Sequence, residues 1–183
     1  MEKRIKAILE ELGHDTDSEG LKETPFRVIK HFKEVYKYIS EEDKKEFLKT
    51  LTTFTAPKDQ GIIILKDIDF YSWCQHHAIP FYGKVHIGYL PKKKILGISK
   101  LARIVDFHSK TLQIQEQFTK DIANTIIKAI SPKGLGIVVE GIHLCLRARG
   151  VEKQNAIMGT SEMMGCFRTS PAVKDEFLRL IGK

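Results

Sequence analysis

Two short clusters of metal-seeking side chains stand out in the sequence. In Ser72-Trp73-Cys74-Gln75-His76-His77 a thiol and an imidazole lie three residues apart, close enough for one tight turn to aim both at a single ion. Far downstream, His143, Cys145, Arg147 and Arg149 alternate with Ile142, Leu144, Leu146 and Ala148. A strand there would send the apolar set inward and the His, Cys and Arg set to the other side. Pooled, the clusters offer two thiols and three imidazoles. A catalytic zinc takes three protein ligands and keeps one position open, which would leave two histidines for proton transfer near neutral pH. The same groups also suit a closed zinc site that uses four of them, or buried thiols that bind nothing. Cys166, beside Phe167 in an apolar stretch, reads as core.

Two further groupings carry weaker signals. Ser99, Lys100 and Arg103 follow Gly97 at a helix start, where free backbone N–H groups and two cations on one face suit a phosphate. Read in isolation, the stretch is equally an ordinary exposed helix. Gln115-Glu116 is either plain helix surface or a carboxylate that accepts two donors from a guanine edge.

These residues need elements to hold them. Ile5, Ile8, Leu9 and Leu12 recur at helical spacing up to Gly13. A second helix is expected from Thr24 as cap, with Pro25 at the first helical position, to about Ile39, and a third from Ser40 with acids in its first turn. Ile62–Leu65 and the alternating Val85, Ile87 and Tyr89 read as strands. Helical periodicity returns between Gly97 and Ile130, and Ser131-Pro132-Lys133-Gly134 breaks it. Residues 135–149 and about 154–167 then read as extended, joined by a loop at Gly150, and a closing helix follows Pro171. Helices, two strands, two helices, two strands and a helix make an α+β fold with an antiparallel sheet covered on one face.

The bulk numbers fit a folded chain. With 183 residues, 42% of them hydrophobic and 29% charged, one domain over 1–183 is expected, helical over 1–60 with the core in 61–183. The net charge of +7 matches a solvated lysine-rich exterior or an anionic small substrate. No basic and aromatic interleaving supports a nucleic-acid surface. The charged start Met1-Glu2-Lys3-Arg4 and the lack of a long apolar run lead us to expect a cytoplasmic chain with no membrane partner. Three cysteines, two of them beside histidines, point to reduced thiols before disulfides.

Taken together, the chain resembles GTP cyclohydrolase I over nearly its whole length. The resemblance rests on 21–28 (LKETPFRV), Cys74 to Phe81, Gly97 to Val105, Gln113 to Glu116 and His143 to Val151. It implies the tunnelling (T-) fold, with a four-stranded antiparallel sheet and two helices between the strand pairs. It also implies a toroidal homodecamer with active sites at subunit interfaces. By position it implies Cys74, His77 and Cys145 as zinc ligands and His76 and His143 as the acid–base pair. Ser99, Lys100, Arg103 and Arg149 would take the triphosphate, and Gln115 and Glu116 the guanine. The implied reaction adds zinc-activated water at C8 of GTP, opens the imidazole ring, releases formate and closes to 7,8-dihydroneopterin triphosphate. Gln75 stands where the family usually has Glu, and Thr111-Leu112 where it usually has Arg-Pro. These departures change the charge beside His76 and the stiffness of the loop before Gln115. They leave room for another purine triphosphate, for a reaction halted after ring opening, or for a zinc-stabilised assembly protein without turnover. A nitrile reductase of related fold fits less well, since its thiol acts as a nucleophile and shares no metal with neighbouring histidines.

Overall fold

A computed structural model describes residues 1–183, which form two compact units, Met1–Lys37 and Tyr38–Lys183. The smaller unit pairs α1 (Glu2–Glu11) with α2 (Thr24–Val35). Thr24 is the first helical residue of α2 and Glu23 precedes it as cap, so the expected Thr24 cap shifts by one residue. The reason lies upstream: Thr24 N–H already donates to the Leu21 carbonyl at 2.9 Å, so the chain is turning before the helix starts. Helix α2 ends four residues short of Ile39, because Ser40 must be extended to cap the next helix.

The larger unit opens with α3 (Glu41–Lys49). Ser40 Oγ accepts from Asp43 N–H at 3.1 Å, and the Asp43 carboxylate accepts from Ser40 N–H at 2.8 Å, closing a capping box. There follow β1 (Thr53–Thr55), β2 (Ile63–Cys74), β3 (Pro80–Leu90), β4 (Lys94–Leu96), α4 (Ile98–Ser109), β5 (Leu112–Gln113) and α5 (Gln115–Ile130). The chain closes with β6 (Gly134–His143), α6 (Leu144–Arg147), β7 (Met158–Gly165), α7 (Cys166–Thr169) and α8 (Pro171–Ile181). Strands β1 and β4 form a separate two-stranded ribbon.

The main sheet runs β5-β2-β3-β6-β7, antiparallel throughout except for β5, whose two residues pair parallel with Trp73 and Cys74 of β2. The sheet thus has a fifth, two-residue strand beside the four expected. Its core face packs Val85, Ile87 and Tyr89 against Leu101 and Ile104 of α4 and Phe118 and Ile122 of α5, all at most 1% exposed.

The expectation of a sheet covered on one face needs correction. Phe167 of α7 and Phe177 of α8 are fully buried against the opposite side. A Cβ on Gly88 would collide with the Phe177 ring and one on Gly136 with the Phe167 ring, so glycine on β3 and β6 is what lets α8 and α7 approach.

The expected strand over 135–149 also ends early, at His143. Strand β3 begins at Pro80, its last pair with β6 is Phe81–His143, and β7 pairs only up to Gly141, so the backbone beyond His143 has no strand to join. It coils into the helical turn α6, with Ala148 N–H bonded to the Leu144 carbonyl at 2.8 Å. The extended stretch expected from 154 starts at Met158, and Cys166 and Phe167 fall in the turn α7. Cys166 is half-buried against the Phe167–Phe177 cluster.

Candidate metal centre and the residues around it

Sheet register brings the two clusters together. Phe81 of β3 pairs with Ser72 of β2 on one side and with His143 of β6 on the other. Strands β2 and β6 therefore run to the same end of the sheet, and Cys74 and Cys145 each lie two residues past that row. Between β2 and β3 the chain turns tightly: Ala78 N–H donates to the Cys74 carbonyl at 2.8 Å and Cys74 N–H to the Ile79 carbonyl at 2.9 Å. The turn requires φ = +53° at Ala78, a left-handed conformation that costs an L-residue energy and that the surrounding hydrogen bonds hold in place.

The ligand atoms of Cys74, His77 and Cys145 lie within 4.8 Å of one another. Cys74 is buried, Cys145 half-buried and His77 exposed. Burial and the neighbouring Cys74 push the Cys145 thiol up, while the Arg149 guanidinium pulls the other way. His76, exposed, sets Nδ1 3.6 Å from Cys74 Sγ. The His143 ring stacks on Phe81 with centroids 4.6 Å apart and planes 6° off parallel. Burial lowers its pKa, and the nearby Glu116 carboxylate partly offsets that. Glu116 stands exposed in the first turn of α5.

Gln115, expected at the guanine, has a side chain that is 1% exposed and bonded throughout to protein. Its neighbour Gln113, which pattern reading passed over, ties the site to the helices. Gln113 pairs with Cys74, accepts Gln75 N–H on its carbonyl at 3.1 Å, and donates through Nε2 to the His108 carbonyl at 2.6 Å and to Ser72 Oγ at 2.9 Å. No periodicity marks a two-residue strand, so only the fold reveals it. The two departures noted above are neighbours in space: Gln75, Thr111 and Leu112 line one cavity of about 220 Å³ together with His108, Gln113 and Asp121.

Ser99, Lys100 and Arg103 do not join the cluster. They occupy the first turns of α4, whose other end, His108, is the one bonded to Gln113 beside Cys74. At 1.5 Å per residue the helix sets them roughly 8 to 14 Å from His108 along its axis. Arg149 lies exposed just past α6, near enough to Cys145 to act on its charge. No helix is long and apolar enough to cross a membrane.

Comparison with known proteins gives a consistent result. A family model described as GTP cyclohydrolase I matches residues 1–182. The protein named GTP cyclohydrolase 1 from Coxiella burnetii is 48% identical over 179 residues, covering 98% of this chain and 96% of its own length. The one from Methylococcus capsulatus is 43% identical over 184 residues, with 100% and 97% covered, and that of Leptospira biflexa 42% over 182, with 99% and 97% covered. Among solved structures, an archaeosine synthase of QueF-like type in the apo form overlays 59% of this chain and 97% of its own at TM-score 0.48 and 17% identity. With a family model matched almost end to end and relatives above 40% identity over their full lengths, the chain belongs to the GTP cyclohydrolase I family.

Proposed function

We propose that this chain hydrolyses GTP at C8, opens the imidazole ring, releases formate and forms 7,8-dihydroneopterin triphosphate, with zinc held by Cys74, His77 and Cys145. The carrying observation is that triad beside two further histidines. Tetrahedral zinc, with bonds of about 2.3 Å to sulfur and 2.0 Å to nitrogen, wants ligand atoms roughly 3.5–3.8 Å apart, within the 4.8 Å spread found here. Two thiols and one imidazole are also a zinc-selective set that leaves a fourth position open. When bound, zinc supplies Lewis acidity and brings the pKa of a water to about 7.

The chain's own residues supply the rest. His143, whose Nδ1 is free while Nε2 faces Gln115 Oε1, takes the proton of the attacking water. His76, exposed beside Cys74, delivers a proton to N7 as the C8–N bond yields. Glu116, at the mouth of this site, accepts two N–H donors from the guanine edge. The triphosphate lies on Ser99, Lys100, Arg103 and Arg149.

Because the α4 residues stand at the far end of the helix from the triad, a complete site takes them from a second copy of the chain. That favours a ring assembly such as the toroidal decamer, as do the open edge of β7 and the long stretch of β2 that β5 leaves bare. The T-fold assignment rests on the same reading.

The test is to incubate zinc-loaded protein with GTP and follow formate together with the fluorescence of the oxidised pterin. Both products should appear and both should vanish in His76→Ala and Cys145→Ser. Formate alone would mean that the reaction halts after ring opening, and neither product would refute the activity.

A further inference from the structure

Gln115 is a neutral side chain, 1% exposed, with a hydrogen-bond partner for each of its polar atoms. Its Nε2 lies 2.9 Å from the Met158 carbonyl, 3.2 Å from the Val139 carbonyl and 3.1 Å from Thr160 Oγ1. Thr160 and Thr119 share a hydrogen bond of 2.6 Å, and the Thr119 hydroxyl donates to the Gln115 carbonyl at 2.8 Å. The donor order is therefore fixed around a closed ring: Gln115 amide to Thr160, Thr160 to Thr119, Thr119 back to the Gln115 backbone. Flipping the amide would press its oxygen against two backbone carbonyls, so Nε2 must face Met158 and Val139, and Oε1 must face His143. His143 Nε2 stands 3.0 Å from that oxygen. An amide oxygen only accepts, so His143 Nε2 carries a hydrogen and Nδ1 is left as the atom that can exchange a proton.

Gly141 supports the same arrangement independently. A Cβ there would fall on Gln115 Oε1, so the missing side chain on β6 is the space through which the amide reaches His143. We propose that Gln115 is the positioning residue for His143, fixing its tautomer and ring direction from behind without touching substrate. Its kinetic consequence rests on the proposed GTP reaction; its geometry does not.

The test uses zinc-loaded full-length protein with 15N-labelled histidine. In the wild-type protein, NMR of His143 should show the Nε2–H tautomer, a result that does not depend on turnover; an Nδ1–H ring would overturn the proposal. Gln115→Met and Gly141→Ala should both lose that signature, keep their zinc, and lower kcat for formate release by roughly 10- to 100-fold with KM for GTP unchanged. In a His143→Ala background, Gln115→Met should cost nothing more. A raised KM with unchanged kcat would make Gln115 a substrate contact, and an equal further loss in the His143→Ala background would make its role merely structural. Either result sinks the proposal. If the wild-type protein releases no formate from GTP, the functional reading fails and the tautomer measurement still decides the role of Gln115.

Discussion

Replacing His108 with Gln should flatten the stability of the protein between about pH 7.5 and pH 5. His108 is 2% exposed near the end of α4, with Nε2 2.8 Å from Thr125 Oγ1 and its carbonyl held by Gln113. Burial drives its pKa from 6.5 down to about 4; Asp121 opposes the shift and Lys44 adds to it. In the unfolded chain the ring takes up a proton near pH 6.5, while in the folded protein it resists until about pH 4. Acid therefore favours the unfolded state: the His108 contribution is intact above pH 6.5, declines as pH falls, and is fully lost below about 4. The whole gap is worth about 3 kcal/mol, of which about 2 kcal/mol falls between pH 7.5 and pH 5. Urea unfolding of wild type and His108→Gln at matched protomer and zinc concentrations would measure it, with the other titrating groups cancelling in the difference. Parallel pH profiles for the two proteins would refute the reasoning.

Cys74→Ser and Cys145→Ser should each release most of the zinc on dialysis, read by metal analysis of the purified chain; full retention would remove both thiols from the ligand set. Lys100→Ala and Arg103→Ala should raise KM for GTP by about tenfold each with little change in kcat, and the penalty should shrink as salt rises. Phe177→Ala should cost about 3–5 kcal/mol in urea unfolding, because its ring is fully buried, meets Phe167 edge-on at 5.5 Å and fills the space over Gly88 and Gly136.

The sequence exposes whatever repeats over several residues. Helical periodicity marked α4 and α5, alternation marked β3, and the Cys-x-x-His spacing marked the turn after β2, whereas the alternation read over 142–149 falls where β6 ends and α6 begins. What stayed hidden depends on partners distant along the chain. The end of β6 at His143 follows from where β3 begins and β7 stops, which no local pattern around Cys145 contains. Likewise Gln115 looks like helix surface beside Glu116, and only the closure of β6 and β7 over α5 buries one and leaves the other in solvent. Ser99, Lys100 and Arg103 were visible as a helix start that suits a phosphate, but their distance from the triad is a property of α4 lying along the sheet.

The facing of Cys74 depends on one residue that serves no chemistry. In β2, Ile63 and Leu65 pair with Tyr89 and Ile87 on the core side, whereas Ile68, Phe70 and Cys74 continue that side on even numbers. The switch occurs because Lys66 and Asp67 together oppose the single residue His86, a bulge that adds one residue to β2. Asp67 sits there at φ = +59°, and its N–H donates to His86 Nδ1 at 3.2 Å. Without the extra residue, alternation from Leu65 would put Asp67, Asp69, Tyr71 and Trp73 in the core and turn Cys74 to the far face. Strand β6 carries no such shift: Leu135, Ile137, Val139 and His143 keep one side throughout. A one-residue difference between two strands that both pair with β3 is thus what lets Cys74 share a face with His143, and the buried imidazole of His86 holds that difference in place.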